Sequence, residues 1–406
     1  MPLLSNFPLL FLNPIFWGAI FLVGWQYNRL ASLERHTLGV NRLHPTVRTA
    51  KSLLWGLAAG TAGSFVVVFL GLTVTGTSLY TLLATALLLM LIHPRLICFS
   101  YAGGLLSISS LLTGWPQVHV PSLAALVAVL HLMESMLVWA CGHEGAVPVT
   151  IRGRGGKAVG GFVMQQFWPL PFVALVAAGS SAAAGGIPMP EWWPLIQAPP
   201  QVLEGGPEMM LMMVPVAAVL GYGDMSITSR PREKNLYTAR LLALYSLALL
   251  ALAWWAGGGW SRQLLTAVFT AGGHEVLIML GRRRERSSAP LFTAPAKGVG
   301  ILETLPGSAA AKAGLQPGDV ILSVNGLPLE GPEDFAALEP GKPAELEIAK
   351  PGLPSVRVRI APPRPDQPGG FGIVPILAPN SAGTVEIRGP GFGMRVLKRI
   401  LRGLRR

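Results

Sequence analysis

The chain has 406 residues, of which 51% are hydrophobic and only 13% are charged, and its mean hydropathy is +0.50. About a quarter of the residues in a typical soluble domain are charged, so this composition excludes a single soluble globular protein. The charge is also uneven, because most of residues 1–280 are apolar and the remainder has an ordinary soluble composition. The sequence therefore predicts two regions, one suited to lipid and one to water.

The net charge of +12 comes from basic residues in short runs beside apolar segments. This placement favours contact with anionic lipid over binding to nucleic acid. Cys98 and Cys141 lie in or beside apolar stretches, so we expect neither a disulfide framework nor a thiolate metal site. The first apolar segment has no basic stretch before it and no small-residue cleavage site, and we expect it to remain as an anchor.

Nine apolar segments are candidates to cross a membrane. A helix needs about 20 apolar residues to cross the hydrocarbon core, and any crossing segment is expected to be helical because lipid offers the backbone no hydrogen-bond partners. The alternative is eight crossings, with one short segment re-entrant or interfacial. The candidates are residues 9–25, 53–74, 79–92, 96–112, 123–141, 167–184, 209–221, 241–255 and 264–280.

The orientation follows from the basic residues of the short loops. Lysines and arginines follow the first, third, fifth, seventh and ninth segments. The alternate loops, residues 75–78, 113–120, 185–207 and 257–263, contain a single cation, Arg262. This pattern predicts an N-terminus outside the cell and a C-terminal region in the cytoplasm.

The C-terminal third has the pattern of a small α+β domain. The predicted division is a polytopic helical domain at residues 1–281, a basic linker at 282–296, the small domain at 297–378, and a linker with a basic tail at 379–406. Strands are predicted at residues 299–304, 319–324, 344–349, 356–360 and 371–377, and short helices at 308–313 and 332–338.

The tail is predicted to form an amphipathic helix that lies on an anionic membrane surface. Apolar residues recur at helical spacing from Leu397 to Leu404, with basic residues between them, as in interfacial helices. The predicted membrane-surface residues are Arg395, Lys398, Arg399, Arg402, Arg405 and Arg406.

The run GVGILETLPGSAAAKAGLQPGDVILSVNG, residues 298–326, resembles the core of bacterial PDZ domains. Ser308 is placed to cap a short helix, Gly314 to end it in a left-handed conformation, and residues 317–319 to form a tight turn into a buried strand. The resemblance implies a domain that binds an extended peptide by strand addition and holds a terminal carboxylate in a glycine-rich loop.

Two glycine-containing segments compete for the carboxylate loop, and we favour the later one. The alternative to both is that residues 371–376 only close the sheet and leave the groove without a ligand. The predicted groove residues are Gly370, Phe371, Gly372, Ile373, Phe335 and Leu338, and those of the competing loop are Gly298, Val299, Gly300 and Ile301.

Four stretches of the apolar region carry a second resemblance, to a known family of membrane proteins: residues 11–25, 145–172, 221–234 and 272–285. Their order, followed by a PDZ domain, resembles the MinJ-like division-site topology proteins of Gram-positive bacteria. The resemblance implies an adaptor at division septa and cell poles that links a DivIVA-like coiled-coil protein to a MinD-like division inhibitor. It supplies no partner site at the level of residues.

The strongest enzymatic alternative is an intramembrane metalloprotease, because such enzymes also combine membrane helices with PDZ domains. Their HExxH motif needs a second histidine four residues after the first. Ile278 occupies that position after His274-Glu275, and Val147 occupies it after His143-Glu144. We therefore predict no catalytic residue, metal or cofactor.

Two other ionisable groups of the apolar region have alternative interpretations. His131 and Glu134 are three residues apart on one predicted helix, where ionisable groups suggest function, such as transport. We favour a structural hydrogen bond within the bundle. Asp224 is expected to cap a helix, with a contact to the PDZ domain as the alternative.

The predicted protein is thus a bundle of eight or nine transmembrane helices followed by a small α+β PDZ-like domain. The predicted function is that of a non-enzymatic membrane scaffold that positions division proteins at the septum or poles. The alternative is a PDZ-containing membrane protein of another assembly, in secretion, motility or envelope signalling.

Overall fold

The structure is a computed structural model that describes residues 11–153, 157–178, 189–199, 210–332, 334, 342–350, 352–362, 371–377 and 384–385. Helices make up most of residues 14–287, where they pack around one long β-hairpin. A second, smaller sheet follows in the C-terminal region.

In the described part of residues 11–287, seven α-helices form the bundle. Their bounds are α1 Pro14–Leu38, α2 Pro45–Leu70, α3 Gly76–Ile92, α4 Phe99–Thr113, α5 Val120–Cys141, α6 Pro231–Trp255 and α7 Trp260–Ser287. The Asn13 side chain caps α1 by accepting from the Ile15 N–H, and Gly39 ends that helix in the left-handed region. Nearly all of α5 is buried, which makes it the central helix.

Four helices of the described chain are long and apolar enough to cross a membrane: Pro45–Leu70, Val120–Cys141, Pro231–Gly258 and Trp260–Ser287. Two more apolar helices, Gly76–Ile92 and Phe99–Thr113, are shorter. The prediction of eight or nine transmembrane helices is therefore not confirmed. What the structure gives is a set of apolar helices typical of a membrane protein.

The sixth and seventh predicted spans are wrong as helices. Where the structure describes them, these segments are the strands β3 (Ala158–Ala178) and β4 (Met210–Ser226), which pair antiparallel along their length. Pro169 and Pro171 of β3 and Pro215 of β4 explain the difference, because proline in a helix interior removes a hydrogen bond and clashes with the preceding turn. The membrane region is thus not all-α.

Shorter strands complete the sheet around β3. The strands are β1 Thr73–Val74, β2 Val147–Arg152, β5 Phe292–Thr293 and β12 Thr384–Val385. Of these, β1, β2 and β5 pair with β3, and β12 pairs with β2. Strands β1 and β2 lie on the edge of β3 opposite to β4. Between β2 and β1 this edge has no strand partner, and helices α1 and α2 cover it.

Hydroxyl groups of these two helices bond the covered edge of β3. The Tyr27 hydroxyl accepts from the Phe167 N–H at 3.1 Å, and the Ser52 hydroxyl donates to the Phe167 carbonyl. Further along, the Ser64 Oγ accepts from the Val173 N–H at 2.9 Å. The backbone groups of Phe167 and the Val173 N–H are thereby satisfied within the protein, as an apolar environment requires.

The second sheet has the strand order β10-β9-β7-β6-β11, with β8 paired to β7, and all its pairs are antiparallel. Its elements are β6 Val299–Thr304, α8 Ala309–Lys312, β7 Val320–Val324, β8 Leu327–Pro328, β9 Ala344–Ala349, β10 Val356–Ile360 and β11 Ile373–Pro375. The predicted strands and the helix after Ser308 are therefore present, with ends shifted by at most two residues.

Two further predictions concern the linker before the small domain and the basic tail after it. Helix α7 continues to Ser287, so the first part of the predicted linker at 282–296 is helical. The basic tail, including Arg395, Lys398, Arg399, Arg402, Arg405 and Arg406, lies outside the described residues.

Candidate peptide-binding site

The site is built on the turn and short helix that follow β6. Gly307 takes a φ of 73°, and the Ser308 hydroxyl accepts from the Ala311 N–H at 3.2 Å. Gly314 then ends the helix with a φ of 78°. These are the capping roles that the sequence predicts, and they hold α8 against the segment that precedes β11.

Strand β11 lies at the edge of the sheet. It pairs with β6, with Ile373 opposite Thr304, and the Leu305 N–H donates to the Gly372 carbonyl at 2.8 Å. Because hydrogen-bonded positions alternate in an antiparallel ladder, the Ile373 backbone is turned away from β6. Its N–H and C=O groups therefore face outward, where an added strand would bind.

The turn before β11 uses its carbonyls inside the domain. The Phe371 carbonyl accepts from the Ala310 N–H at 3.0 Å, and the Gly372 carbonyl accepts from Leu305. Within the described residues, the N–H groups of Phe371, Gly372 and Ile373 donate to no acceptor. Consecutive backbone N–H groups that lack an acceptor among the described residues are a feature that carboxylate-binding turns share.

Only glycine fits at position 372. Its φ is 76°, in the left-handed region, and a Cβ there would collide with the Ser308 side chain. The neighbouring Phe371 side chain is buried in the core of the small domain, with Ile373 packed against that core. The geometry of the turn is thus fixed by the sequence Phe-Gly-Ile.

The competing loop has a different environment. Val299, Gly300 and Ile301 lie within β6, which has β7 on one side and β11 on the other. The Gly300 carbonyl accepts from the Ile376 N–H at 2.9 Å, and Ile301 is fully buried. Gly298 donates its N–H to Leu329 at 3.1 Å. This segment is an interior strand with no free edge.

The predicted groove helix is only partly described. Gly370, Phe335 and Leu338 lie outside the described residues. At the helix start, the Asp334 carboxylate accepts from the backbone N–H groups of Gly331 and Glu330. These hydrogen bonds stabilise the carboxylate and lower the pKa of Asp334 below its usual value.

The small domain is packed directly against the long hairpin. Phe292 of β5 pairs with Gly160 of β3, and the Leu302 side chain contacts the same glycine. An ion pair joins Arg42, in the loop after α1, to Glu303 of β6 at 2.7 Å. The two regions therefore share a packed interface and do not depend on a tether alone.

The ionisable groups of the helical region are arranged differently from the predictions. Glu275 bonds Arg95 at 2.9 Å and the Tyr101 hydroxyl at 2.5 Å. His131 makes the favoured interhelical hydrogen bond, with the Ser100 hydroxyl at 3.0 Å, and within the described part of the chain no hydrogen bond joins it to Glu134. Asp224 contacts Lys234 and the Thr238 hydroxyl and caps no helix.

Three residues that sequence reasoning kept apart come together in this region. The Cys98 Sγ lies 3.1 Å from the His131 Nε2 and 3.5 Å from the His274 Nε2. The partners are 33 and 176 positions from Cys98 in the chain, so no local motif marks them. Ionisable residues within apolar helices were the one available signal.

The comparisons with known proteins agree with the fold. Residues 300–350 match the PDZ domain family. Over 349 residues, which are 82% of this chain and 84% of the relative, the chain is 24% identical to the "Cell division topological determinant MinJ" of Bacillus subtilis (strain 168). Together these matches confirm the resemblance drawn from the sequence, that of a MinJ-like protein with a PDZ domain in its C-terminal region.

Proposed function

We propose that the protein is a non-enzymatic, multi-pass membrane adaptor whose cytoplasmic PDZ domain binds extended peptide segments of cell-division proteins. Its similarity to MinJ and its PDZ domain support a division-related membrane adaptor. The finer proposal is that it positions division regulators at the septum or the poles.

The open edge of β11 is the observation that carries the binding role. The outward N–H and C=O of Ile373 offer an added strand two backbone hydrogen bonds, and the free N–H groups of Phe371 and Gly372 lie where a peptide carboxylate would end. Peptide recognition by PDZ domains uses this combination of a strand edge and a backbone turn. We therefore propose that residues 370–373 bind the peptide, and we keep Phe335 and Leu338, which lie outside the described residues, as proposed groove residues.

The distribution of residues at the two ends of the bundle supports the orientation. The PDZ domain packs near Arg42, in the cation-rich loop between α1 and α2. Exposed indoles of Trp115, Trp254 and Trp260 mark the loops at the other end, as is typical of membrane interfaces. With the hairpin strands counted in place of two helices, nine crossing elements keep the C-terminal region in the cytoplasm.

The proposed partners follow from the resemblance and from charge. They are DivIVA-like and MinD-like division proteins, with the transmembrane helices as a second contact surface. The basic tail, from Arg395 to Arg406, adds an electrostatic contact with anionic lipid.

The proposal is tested by imaging a fluorescent fusion of the full chain in dividing cells, together with in-cell crosslinking and recovery of partners. We expect enrichment at septa and poles and recovery of division proteins. The variant Ile373→Pro should recover fewer partners, whereas Arg357→Ala, on exposed β10, should recover the wild-type set. Even membrane fluorescence without division partners would refute the division role.

A further inference from the structure

We propose that Cys98, His131 and His274 form a binding site for a divalent transition-metal ion of the Zn²⁺ type. The three side chains come from the segment before α4, from α5 and from α7. Their ligand atoms all lie within 4.8 Å of one another, and His131 is buried. Such a site is independent of peptide binding and goes beyond the adaptor function.

The distances suit tetrahedral coordination. With metal bonds of about 2.3 Å to sulfur and about 2.0 Å to nitrogen, neighbouring ligand atoms in a tetrahedral zinc site are roughly 3.3–3.6 Å apart. The Cys98 Sγ is 3.1 Å from the His131 Nε2 and 3.5 Å from the His274 Nε2. An ion placed among the three atoms therefore requires only small side-chain adjustments.

The tautomer of His131 directs a lone pair into the cluster. Its Nδ1 lies 2.7 Å from the Val127 carbonyl, which accepts hydrogen bonds and donates none, so this nitrogen carries the proton. The Nε2 of the neutral ring is then unprotonated and faces Cys98. A backbone carbonyl that holds the outer nitrogen of a histidine is the usual support for a metal ligand.

Among the neighbouring hydroxyls of the described residues, that of Ser100 is placed to donate to this lone pair. The Tyr245 hydroxyl lies 2.6 Å from the Thr270 carbonyl oxygen and donates its proton there. The Ser100 hydroxyl lies 3.0 Å from the Tyr245 hydroxyl and 3.0 Å from the His131 Nε2, but it has one proton for these two contacts. A metal ion at the His131 Nε2 leaves the Ser100 proton free for Tyr245 and satisfies both residues.

The ligand set selects the class of ion. Thiolate and imidazole ligands favour Zn²⁺ and related transition metals over Mg²⁺ and Ca²⁺. Glu275 is held by Arg95 and Tyr101, so its carboxylate is not a ligand. The three protein ligands leave a fourth position, beside Ser100, for water or a hydroxyl group.

The ion would join three parts of the bundle. Cys98 precedes α4, His131 is in the central helix α5, and His274 is in α7. A metal bound to the folded state alone stabilises it. We therefore infer a structural site that fixes α4 and α7 against α5.

The test is the metal content of the full-length protein, purified in detergent through a tag that binds no metal. We expect about one zinc ion per chain, and Co²⁺ replacement should produce a sulfur-to-metal charge-transfer band with the intense visible absorption of tetrahedral Co²⁺. In Cys98→Ser and His274→Gln, the retained metal should fall by more than about tenfold.

The chain offers matched controls in Cys141→Ser and His143→Gln. Cys141 is buried and bonds the Leu137 carbonyl of its own helix, and neither residue belongs to the cluster. Both variants should keep the wild-type metal content. If Cys98→Ser fails to fold, the metal content of His274→Gln and the Co²⁺ spectrum of the wild type still test the proposed site. A wild-type chain without bound metal and without a Co²⁺ spectrum would overturn the site, as would copper(I) in place of a divalent ion.

Discussion

Two strand edges of this protein differ in whether their outer backbone groups are hydrogen-bonded. The edge of β3 that faces α2 is closed, because Ser52 and Ser64 bond its backbone and glycines allow close approach. The edge of β11 is open where the structure describes it, with the Ile373 backbone turned outward and the N–H groups of residues 371–373 without an acceptor among the described residues. The difference between the two edges comes from what lies beside them: helix α2 beside β3, and no further strand beside β11 in the described residues.

The difference teaches where an unpaired backbone group is tolerated. An unsatisfied N–H costs several kcal/mol in lipid, but little where water or a ligand replaces the missing partner. The closed edge therefore stabilises the fold, whereas the open edge is the one proposed to bind a peptide. Substitutions that alter each edge should separate stability from recognition.

The largest effect is expected where α2 approaches β3 most closely. A Cβ at Gly60 would collide with the Pro171 carbonyl, which is backbone and cannot turn aside. We expect Gly60→Ala to lower the stability of the protein by about 3 kcal/mol, at the upper end of overpacking costs. The measurement is the thermal unfolding midpoint of the detergent-solubilised protein, followed by circular dichroism.

Gly272→Ala is the matched control, because Gly272 is also inside a helix and has nothing within 4 Å of an added Cβ. The gain in helix propensity is the same in both variants, up to about 1 kcal/mol. An equal midpoint for the two variants would mean that α2 does not hold the edge of β3.

A smaller loss is expected when the closed edge loses a single hydrogen bond. Ser64→Ala removes the acceptor of the buried Val173 N–H, and an orphaned buried donor costs about 1–3 kcal/mol. Thr61→Ala is the control, since that hydroxyl bonds only its own helix at Leu57. Hydrogen exchange at Val173 should accelerate in the first variant alone, and protection in both would contradict the closed edge.

The sequence was sufficient for the strands of the small domain but not for the long hairpin. The PDZ strands and caps follow from local signals, such as Ser308 before a helix and Asn325-Gly326 at a turn, and the structure has both. The hairpin was missed because length and apolarity alone do not separate a buried strand from a helix. Pro169 and Pro171, two positions apart, were the overlooked sign of a strand.

The remaining features depend on contacts between distant parts of the chain. Cys98 meets His274 only after α4 and α7 pack together. The contact of Leu302 with Gly160 likewise joins regions that the sequence assigns to different domains. Single-sequence patterns contain local periodicity and capping, so they predict elements better than the packing of one element on another.

The open edge should respond to a proline that removes no hydrogen bond between β11 and β6. Ile373→Pro removes an outward N–H, and the expected loss is one backbone hydrogen bond, about 1 kcal/mol or fivefold in peptide affinity. Val374→Pro is the contrasting variant. The Val374 backbone pairs with β6, and the loss of its N–H group should lower the stability of the domain. Calorimetry with C-terminal peptides of recovered partners measures the first effect. Unchanged affinity for Ile373→Pro would place the peptide elsewhere.

The smallest effect concerns the ion pair that joins the two regions. Arg42 and Glu303 are partly exposed, and a double-mutant cycle of alanine variants should give a coupling of about 0.2–1 kcal/mol that decreases with salt. The measurement is hydrogen exchange of the Leu377 N–H, which bonds Thr150 across the same interface at 3.0 Å. A coupling of this size changes local opening by about 1.4-fold to fivefold.

The more exposed pair of Arg357 and Glu345, 3.9 Å apart within the second sheet, is the control and should show almost no coupling. If both pairs behave alike, the PDZ domain is held against the hairpin by apolar contacts such as Leu302 on Gly160. Its position would then be independent of ionic strength. If the Arg42 pair alone is salt-sensitive, charge contributes to how firmly the open edge is held relative to the bundle.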